Sequence, residues 1–432
     1  MSASPSVPPS SPAAVAAVEP DLVRPGFALA FSLTWLSYAT YYLGRKGLSV
    51  AKTAIESEFG ERALWGVETG YLATYAVGQF LCGGIGDRTG ARRLIGFGML
   101  ASAAACIGFG FSSLAVLFLV AMMVNGIAQS SGWPGNVKAM AEWVPSSQRG
   151  RTMGLWSTCY QVGGIAANFL AARLLHVYGW RGSFIGPGLV IALVGVLVLV
   201  FLRKGPLAPA SASPAGTPGA DEELAAQKRE ASRRVLRSFT VWCYGASYFC
   251  IKLIRYSLLF WLPYYLEKIL HYARDDAAYF STSFEIGGVV GTIVIGLLSD
   301  RLKHIPRSVI AASSLVCLAA ALFLFLQVGA SGRVANFVAM AIVGAFLFGP
   351  DALISAAAAQ DAGGPLAAAQ AAGIINGLGS IGGVLQESVT RGVSKAFGWD
   401  ALFYVFVGLA LLSAVGLSPT FRGKGARAAE GA

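Results

Sequence analysis

The sequence predicts an all-α integral membrane protein of twelve transmembrane helices, arranged as two six-helix halves related by pseudo-symmetry. Three observations carry that reading. The chain of 432 residues is 55% hydrophobic and only 13% charged, about half the charged share of a soluble domain. Its apolar residues fall into long runs rather than amphipathic stripes, and lipid accepts an apolar exterior that water does not. Landmarks in the first half of the chain recur in the second at a near-constant spacing.

A membrane helix needs about 20 mostly apolar residues. Twelve such stretches follow in order, near 26–46, 66–86, 94–112, 115–138, 151–175, 183–202, 239–265, 277–299, 308–328, 334–358, 367–390 and 400–419. Residues 1–25 are rich in Pro, Ser and Ala, lack the basic and apolar regions of a signal peptide, and read as a disordered cytoplasmic tail. Residues 26–202 form the first six-helix half. Residues 203–237 begin with Pro, Ala and Ser and end in charges, the composition of a cytoplasmic linker closing in a surface helix. The second half spans 238–421, and 422–432 is a cytoplasmic tail.

The net charge of +11 could point to a polyanion, but its placement points to topology. With both termini cytoplasmic, nineteen of the 33 Lys and Arg residues lie on the cytoplasmic side and nine on the other. This is the positive-inside pattern of a multi-pass protein of the cell (inner) membrane, and it leaves no nucleic-acid partner to invoke. The six cysteines lie in apolar segments without a CxxC pair and read as small core residues, so no metal or cofactor is expected. Three histidines at loop or helix-end positions, no P-loop and no nucleophile–base pattern argue against an enzyme.

The repeat is specific. Gly83-x-x-x-Asp87-Arg88 recurs as Gly296-x-x-x-Asp300-Arg301 at an offset of 213. Gly179-Trp180 and Gly163-Gly164 recur as Gly398-Trp399 and Gly382-Gly383 at 219, and Pro134 as Pro350 at 216. Parallel halves of this kind place a substrate near the midplane between them. Asp87, Arg88, Arg92, Asp300 and Arg301 then read as a cytoplasmic gate, with each Asp able to accept from helix-end amides.

Five cations sit at membrane depth: Arg45, Lys46, Lys138, Lys252 and Arg255. Each costs about 2.5–3.5 kcal/mol there on insertion scales. Arg45 and Arg255 are 210 residues apart, close to the repeat, so one arginine from each half would face a common cavity. Guanidinium binds phosphate bidentately, and two of them suit a dianion. The competing reading pairs each arginine with an internal acid, from among Glu68, Glu142, Glu285, Asp351 and Asp361. Lys46 and Lys252 either join the site or snorkel to the interface. Lys138 adds a cation near Trp133. Tyr38, Tyr42, Tyr75 and Tyr160 offer hydroxyl donors, with Tyr38 and Tyr42 on the helix face of Arg45. The alternative is an interfacial aromatic belt, a reading stronger for Tyr264 and Tyr265.

The loop Gly83-Gly84-Ile85-Gly86-Asp87-Arg88-Thr89-Gly90-Ala91-Arg92-Arg93 resembles the loop between helices two and three of the major facilitator superfamily. The chain as a whole resembles that superfamily's organophosphate:inorganic phosphate antiporters, with sugar-phosphate exchanger-like stretches. The resemblance rests on Tyr42-Leu43-Gly44-Arg45-Lys46, Asn125-Gly126-x-x-Gln129-x-x-Gly132-Trp133-Pro134, Trp143, Arg149-Gly150, Ile254-Arg255-Tyr256 with Trp261-x-Pro263, Gly349-Pro350 and Gly398-Trp399-Asp400. It implies exchange of a sugar phosphate or glycerol phosphate for inorganic phosphate by alternating access in a monomer. It also implies that Arg45 and Arg255 hold the phosphate. The sequence departs from the bacterial members at Gln79, Tyr160 and Phe260, where they have Lys, His and, in the glycerol-phosphate carriers, Asp. A sugar-phosphate sensor of the same fold and a carrier of other organic anions are the alternative functions.

Overall fold

The computed structural model describes residues 26–208 and 220–421. The sequence-predicted tails at 1–25 and 422–432, and part of the linker, lie outside the described residues. Every described element is helical. In chain order they are α1 (Phe27–Tyr41), α2 (Leu43–Phe59), α3 (Val67–Thr89), α4 (Ala91–Phe111), α5 (Ala115–Gln129), α6 (Gly132–Ala141), α7 (Arg149–Trp156) and α8 (Cys159–Phe201). Then come α9 (Ala220–Leu236), α10 (Phe239–Lys268), α11 (Arg274–Arg301), α12 (Arg307–Val328), α13 (Arg333–Ala352), α14 (Ala359–Phe397) and α15 (Trp399–Leu417), with short 3₁₀ turns and a π-helical turn at Leu353–Ala358.

Seven stretches among the described residues are long and apolar enough to cross a membrane, and the chain is a multi-pass membrane protein. Two of the seven are far too long to cross once. At 1.5 Å per residue the 43 residues of α8 would reach about 64 Å, twice the ~30 Å hydrocarbon core. The chain reverses at Gly179, where φ is 68° and ψ −175°, a left-handed geometry that glycine adopts without a Cβ clash. Beyond it Ser183 donates to the Ala171 carbonyl at 2.9 Å, a contact impossible along a straight helix. Gly364, with φ 56°, breaks α14 in the same way.

The first predicted helix, expected to end at Lys46, runs on through α2 to Phe59, with a break at Tyr42 between α1 and α2. α9 is a charged and largely exposed helix. Two sequence expectations are corrected by burial. Cys317 is exposed on α12 rather than a core residue, because that face of the helix has no protein neighbour to cover it. Tyr265 is buried against Phe325, Trp399 and Phe403 rather than part of a belt, while Tyr264 remains exposed.

The bundle has two ends. The linker end carries the α3–α4 turn, the start of α7 and α9; the far end carries the start of α3. Helices α3 and α14 pack along each other, as do α7 and α11, and α6 packs on α14. These packings are tight because glycines line them. A Cβ on Gly373 would lie 2.5 Å from the Gln79 carbonyl, and one on Gly296 2.5 Å from the Gly150 carbonyl.

Candidate functional site

At the linker end two aspartates make matching contacts to helix-end amides, each here called a lock. Asp87, 1% exposed, accepts from the backbone N–H of Ala369 (3.3 Å) and Gln370 (2.7 Å), where α14 resumes after its break. Asp300 accepts from the N–H of Gly150 (2.9 Å) and Arg151 (2.7 Å), the first turn of α7. A helix N-terminus presents unpaired N–H groups and a positive dipole end, so a carboxylate is its natural partner. The acceptor aspartates differ by 213 in number and the donor amides by 219, so the two locks follow the sequence repeat.

Each lock carries its own cation. Lys138 Nζ donates to Asp87 Oδ1 at 2.8 Å and to the Pro365 carbonyl at 3.1 Å. Arg307 reaches Asp300 at 3.1 Å and Asp361 at 2.7 Å, and Arg149 meets Asp361 at 2.7 Å. The sequence reading is corrected here. Lys138 belongs to the lock and not to the anion site, because α6 carries it beside Asp87. Among the described residues Arg88, Arg92 and Arg301 are exposed and make no ion pair, whereas Lys138, Arg149 and Arg307 pair with the acids at this end. Trp133 is likewise displaced from the anion site. Its Nε1 donates to the Ser355 carbonyl at 3.0 Å, and it stacks edge-on with Tyr38 and Trp156 as an aromatic floor.

Above that floor the charged residues converge. A cavity of about 100 Å³ is bounded by Arg45, Lys46 and Tyr42 of α2 and its junction, Glu68, Tyr71 and Tyr75 of α3, and Arg255 and Tyr256 of α10. Arg45 donates from Nε to Gln129 Oε1 at 2.6 Å, which fixes the fork. Its remaining nitrogens face Tyr75, whose hydroxyl is 3.5 Å away. The guanidinium lies 4.7 Å from the Tyr42 ring, 4.9 Å from Tyr75 and 5.7 Å from Tyr38. These are cation–π distances. Among the described residues no carboxylate pairs with Arg45, so its charge is met only by neutral groups.

Arg255 differs. It is 6% exposed and bonds both oxygens of the fully buried Asp351, at 3.2 and 3.3 Å. Tyr160 donates to the same Asp351 at 3.2 Å and stacks under Arg255 at 4.4 Å. The pairing of an arginine with an internal acid therefore holds for Arg255 and not for Arg45. Of the five acids the sequence offered, Asp351 is the partner. Glu285 instead lines a smaller side chamber of about 50 Å³ with Lys46, Arg255, Tyr160 and Gln161.

Lys252 does not snorkel. Its Nζ donates to Asn376 Oδ1 at 2.7 Å and Ser380 Oγ at 3.0 Å, ringed by Tyr75, Tyr248 and Tyr256. Sequence reasoning missed Gln129 as the anchor of Arg45, together with Tyr71, Tyr256, Asn376 and Ser380. Gln129 stood inside the quoted Asn-Gly…Gln motif, which was its only signal. Gln79 and Gln161 are buried with side-chain nitrogen and oxygen unpartnered.

A family model described as Major Facilitator Superfamily matches residues 34–386. The chain is 30% identical to an Arabidopsis thaliana protein named putative glycerol-3-phosphate transporter 2, over 89% of this chain and 84% of that one. It is 30% identical to sugar phosphate exchanger 3 of Gallus gallus, over 90% and 91% of the two chains. Among solved structures it superposes on the proton:xylose symporter XylE bound to 6-bromo-6-deoxy-D-glucose with a TM-score of 0.72 at 14% identity, over 91% of this chain and 95% of that one, which is a likeness of fold.

Proposed function

We propose that this chain, which belongs to the major facilitator superfamily and within it to the organophosphate:phosphate antiporter family, is a transporter that exchanges a phosphorylated organic anion for inorganic phosphate. The observation that carries the proposal is Arg45: a guanidinium deep in an apolar bundle, oriented by Gln129 and without a counter-ion among the described residues, on a cavity that Arg255 also lines. The names of the relatives, a glycerol-3-phosphate transporter and a sugar phosphate exchanger, agree in their substrate chemistry with what two guanidiniums select.

Twelve spans follow if the two folded stretches count twice and if α1 with α2, α3 and α10 also cross. Those last three carry the site's charges and tyrosines, which lowers their hydropathy. The halves are then 26–202 and 238–421, joined by the 203–237 linker. The positive-inside count puts the linker end in the cytoplasm and both termini with it. In that orientation the two aspartate locks are a closed cytoplasmic gate, and the cavity faces the other side. At about 100 Å³ it is below the roughly 300–1,000 Å³ of ordinary small-molecule sites, so it takes a phosphate group rather than a whole sugar phosphate. A wider form receives the larger substrate.

Phosphate entering this cavity meets Arg45 directly and competes with Asp351 for Arg255. Lys252, held by Asn376 and Ser380, and Tyr75, which touches both Arg45 and Lys252, complete the ring. The empty carrier thus keeps one bare arginine rather than two. Closing the far end over an unmatched buried charge is costly, and a bound phosphate removes that cost, which gives exchange rather than net flow.

The test uses proteoliposomes preloaded with unlabelled phosphate. Uptake of labelled phosphate is followed while glucose 6-phosphate, glycerol 3-phosphate, phosphoenolpyruvate or lactate is added outside. Exchange that needs internal phosphate and is inhibited by one organophosphate is the expected result. Rapid net uptake into vesicles without internal phosphate would contradict the coupling, and binding without exchange would make the protein a sensor.

A further inference from the structure

At the linker end, outside the gate, lies a second cavity of about 520 Å³, within the range of small-molecule sites and about five times the volume of the one between the arginines. Its walls come from elements far apart in sequence. The α3–α4 turn supplies Arg88, Arg92 and Arg93, and the segment after α8 supplies Arg203 and Lys204. Lys138 reaches it from α6 and Lys228 from α9. Among the described residues Glu142 is the single carboxylate on its lining.

Positive-inside placement explains why cations lie at this end of the bundle, but not why seven converge on one concavity. Solvated cations repel and spread. Here burial and the neighbouring Lys138 and Lys204 push the Lys228 ammonium below its ordinary value, a sign of like charges held together by the fold. Glu142 offsets them only in part, one carboxylate against seven cations, and its backbone carbonyl, which accepts from the Leu207 N–H at 2.9 Å, fixes it at the cavity wall.

We propose that this cavity is a second anion site, distinct from the one between Arg45 and Arg255, and that it takes a polyphosphate or a phosphomonoester headgroup. A ligand with several phosphate oxygens spread over a few ångströms matches four basic segments at once, where a single carboxylate would not. Because α9 packs on both α3 and α14, and Lys138 also holds Asp87, an anion here clamps α9 across the closed gate.

The experiment titrates inorganic tripolyphosphate into the detergent-purified full-length protein by calorimetry, at constant ionic strength, for four proteins. R45Q should keep the binding component that the triple variant loses, since Arg45 is outside this cavity. The triple variant R93Q/K204Q/K228Q should bind at least tenfold more weakly. E142Q, which removes the one opposing charge, should bind several-fold more tightly; this gain keeps the test sound if the triple variant folds poorly. In the same samples tripolyphosphate should slow tryptic cleavage of α9 at Arg233 and Arg234. Nanodiscs of phosphatidylcholine with or without phosphatidic acid then name the source. Displacement of tripolyphosphate by phosphatidic acid marks a lipid headgroup, and its persistence marks a soluble anion. Binding that is lost in R45Q but kept in the triple variant, or no binding of either probe, overturns the proposal.

Discussion

Arg255 and Asp351 form a two-oxygen ion pair across α10 and α13, at 3.2 and 3.3 Å, with the aspartate wholly buried. Arg45, its counterpart by sequence offset, has no such partner among the described residues. The proposed phosphate site is therefore electrically lopsided: one arginine is bare and the other already spoken for.

Removing the acid should expose that imbalance. Breaking a buried pair by deleting one member costs about 3–5 kcal/mol, so Asp351→Asn should melt well below wild type without ligand. Phosphate should then restore more stability to the variant than it adds to wild type, since bound ligand stabilises by mass action. Melting curves with and without phosphate check this. A wild-type melting temperature for the variant would mean the pair does not neutralise Arg255.

Charge alone should not suffice at either arginine. Arg45→Lys and Arg255→Lys keep the cation and lose the fork, forfeiting at least one charged hydrogen bond worth about 1.5–3 kcal/mol. Phosphate affinity should fall roughly 10- to 100-fold in each. Wild-type affinity in both variants would refute the site.

Gln129 should act through orientation. Gln129→Leu keeps the volume and removes the acceptor that holds Arg45 Nε at 2.6 Å. A neutral-to-charged bond of this kind is worth about 1.5–3 kcal/mol, part of which Tyr75 and Tyr42 retain. The expected outcome is a roughly tenfold rise in the phosphate Kd together with a lower melting temperature, because Gln129 also accepts from Tyr71 at 2.9 Å and donates to Asn125 at 3.0 Å, and those buried groups lose a partner. An unchanged Kd would assign the orientation of Arg45 to the tyrosines alone.

Much of this was legible in the chain, for definable reasons. Asp87 and Asp300 announced themselves because each stands in the same glycine-spaced motif, which the structure places in the last turns of α3 and α11 rather than in a loop, and the offset between them survives whatever the intervening residues do. Arg45 and Arg255 were visible because a cation is conspicuous in an apolar run. Their partners were not. Asp351 lies 96 residues from Arg255, and nothing local distinguishes it from the other acids. Lys138 sits 51 residues from Asp87, so on its own helix it looks like another site cation. Helix ends blurred for a physical reason too. Gly179 and Gly364 reverse the chain without interrupting its hydrogen-bonded turns for more than a residue or two.

The locks should be separable and additive. Asp87→Asn and Asp300→Asn each weaken charge-assisted bonds to helix-end amides and a cation, and the two sites share no partner, so their effects should sum. Spin labels on the α3–α4 turn and at the start of α14 should report a wider linker end in each variant and the widest in the double. Identical distance distributions in wild type and the double variant would place the closure elsewhere, in the glycine-lined packing of α3 on α14.

The donors that meet Asp87 and Asp300 are main-chain amides of Ala369, Gln370, Gly150 and Arg151, and main chain does not mutate. A random mutagenesis screen for a leaky gate would recover changes at the two aspartates and their cations in abundance. Among the four amide donors it would recover changes at Gly150, where a Cβ would lie 2.6 Å from Asp300 Oδ1, and at the others chiefly proline, which deletes the N–H itself. Inheritance thus reaches the two sides of each contact unequally, and the side made of main chain is the one that variation reaches least.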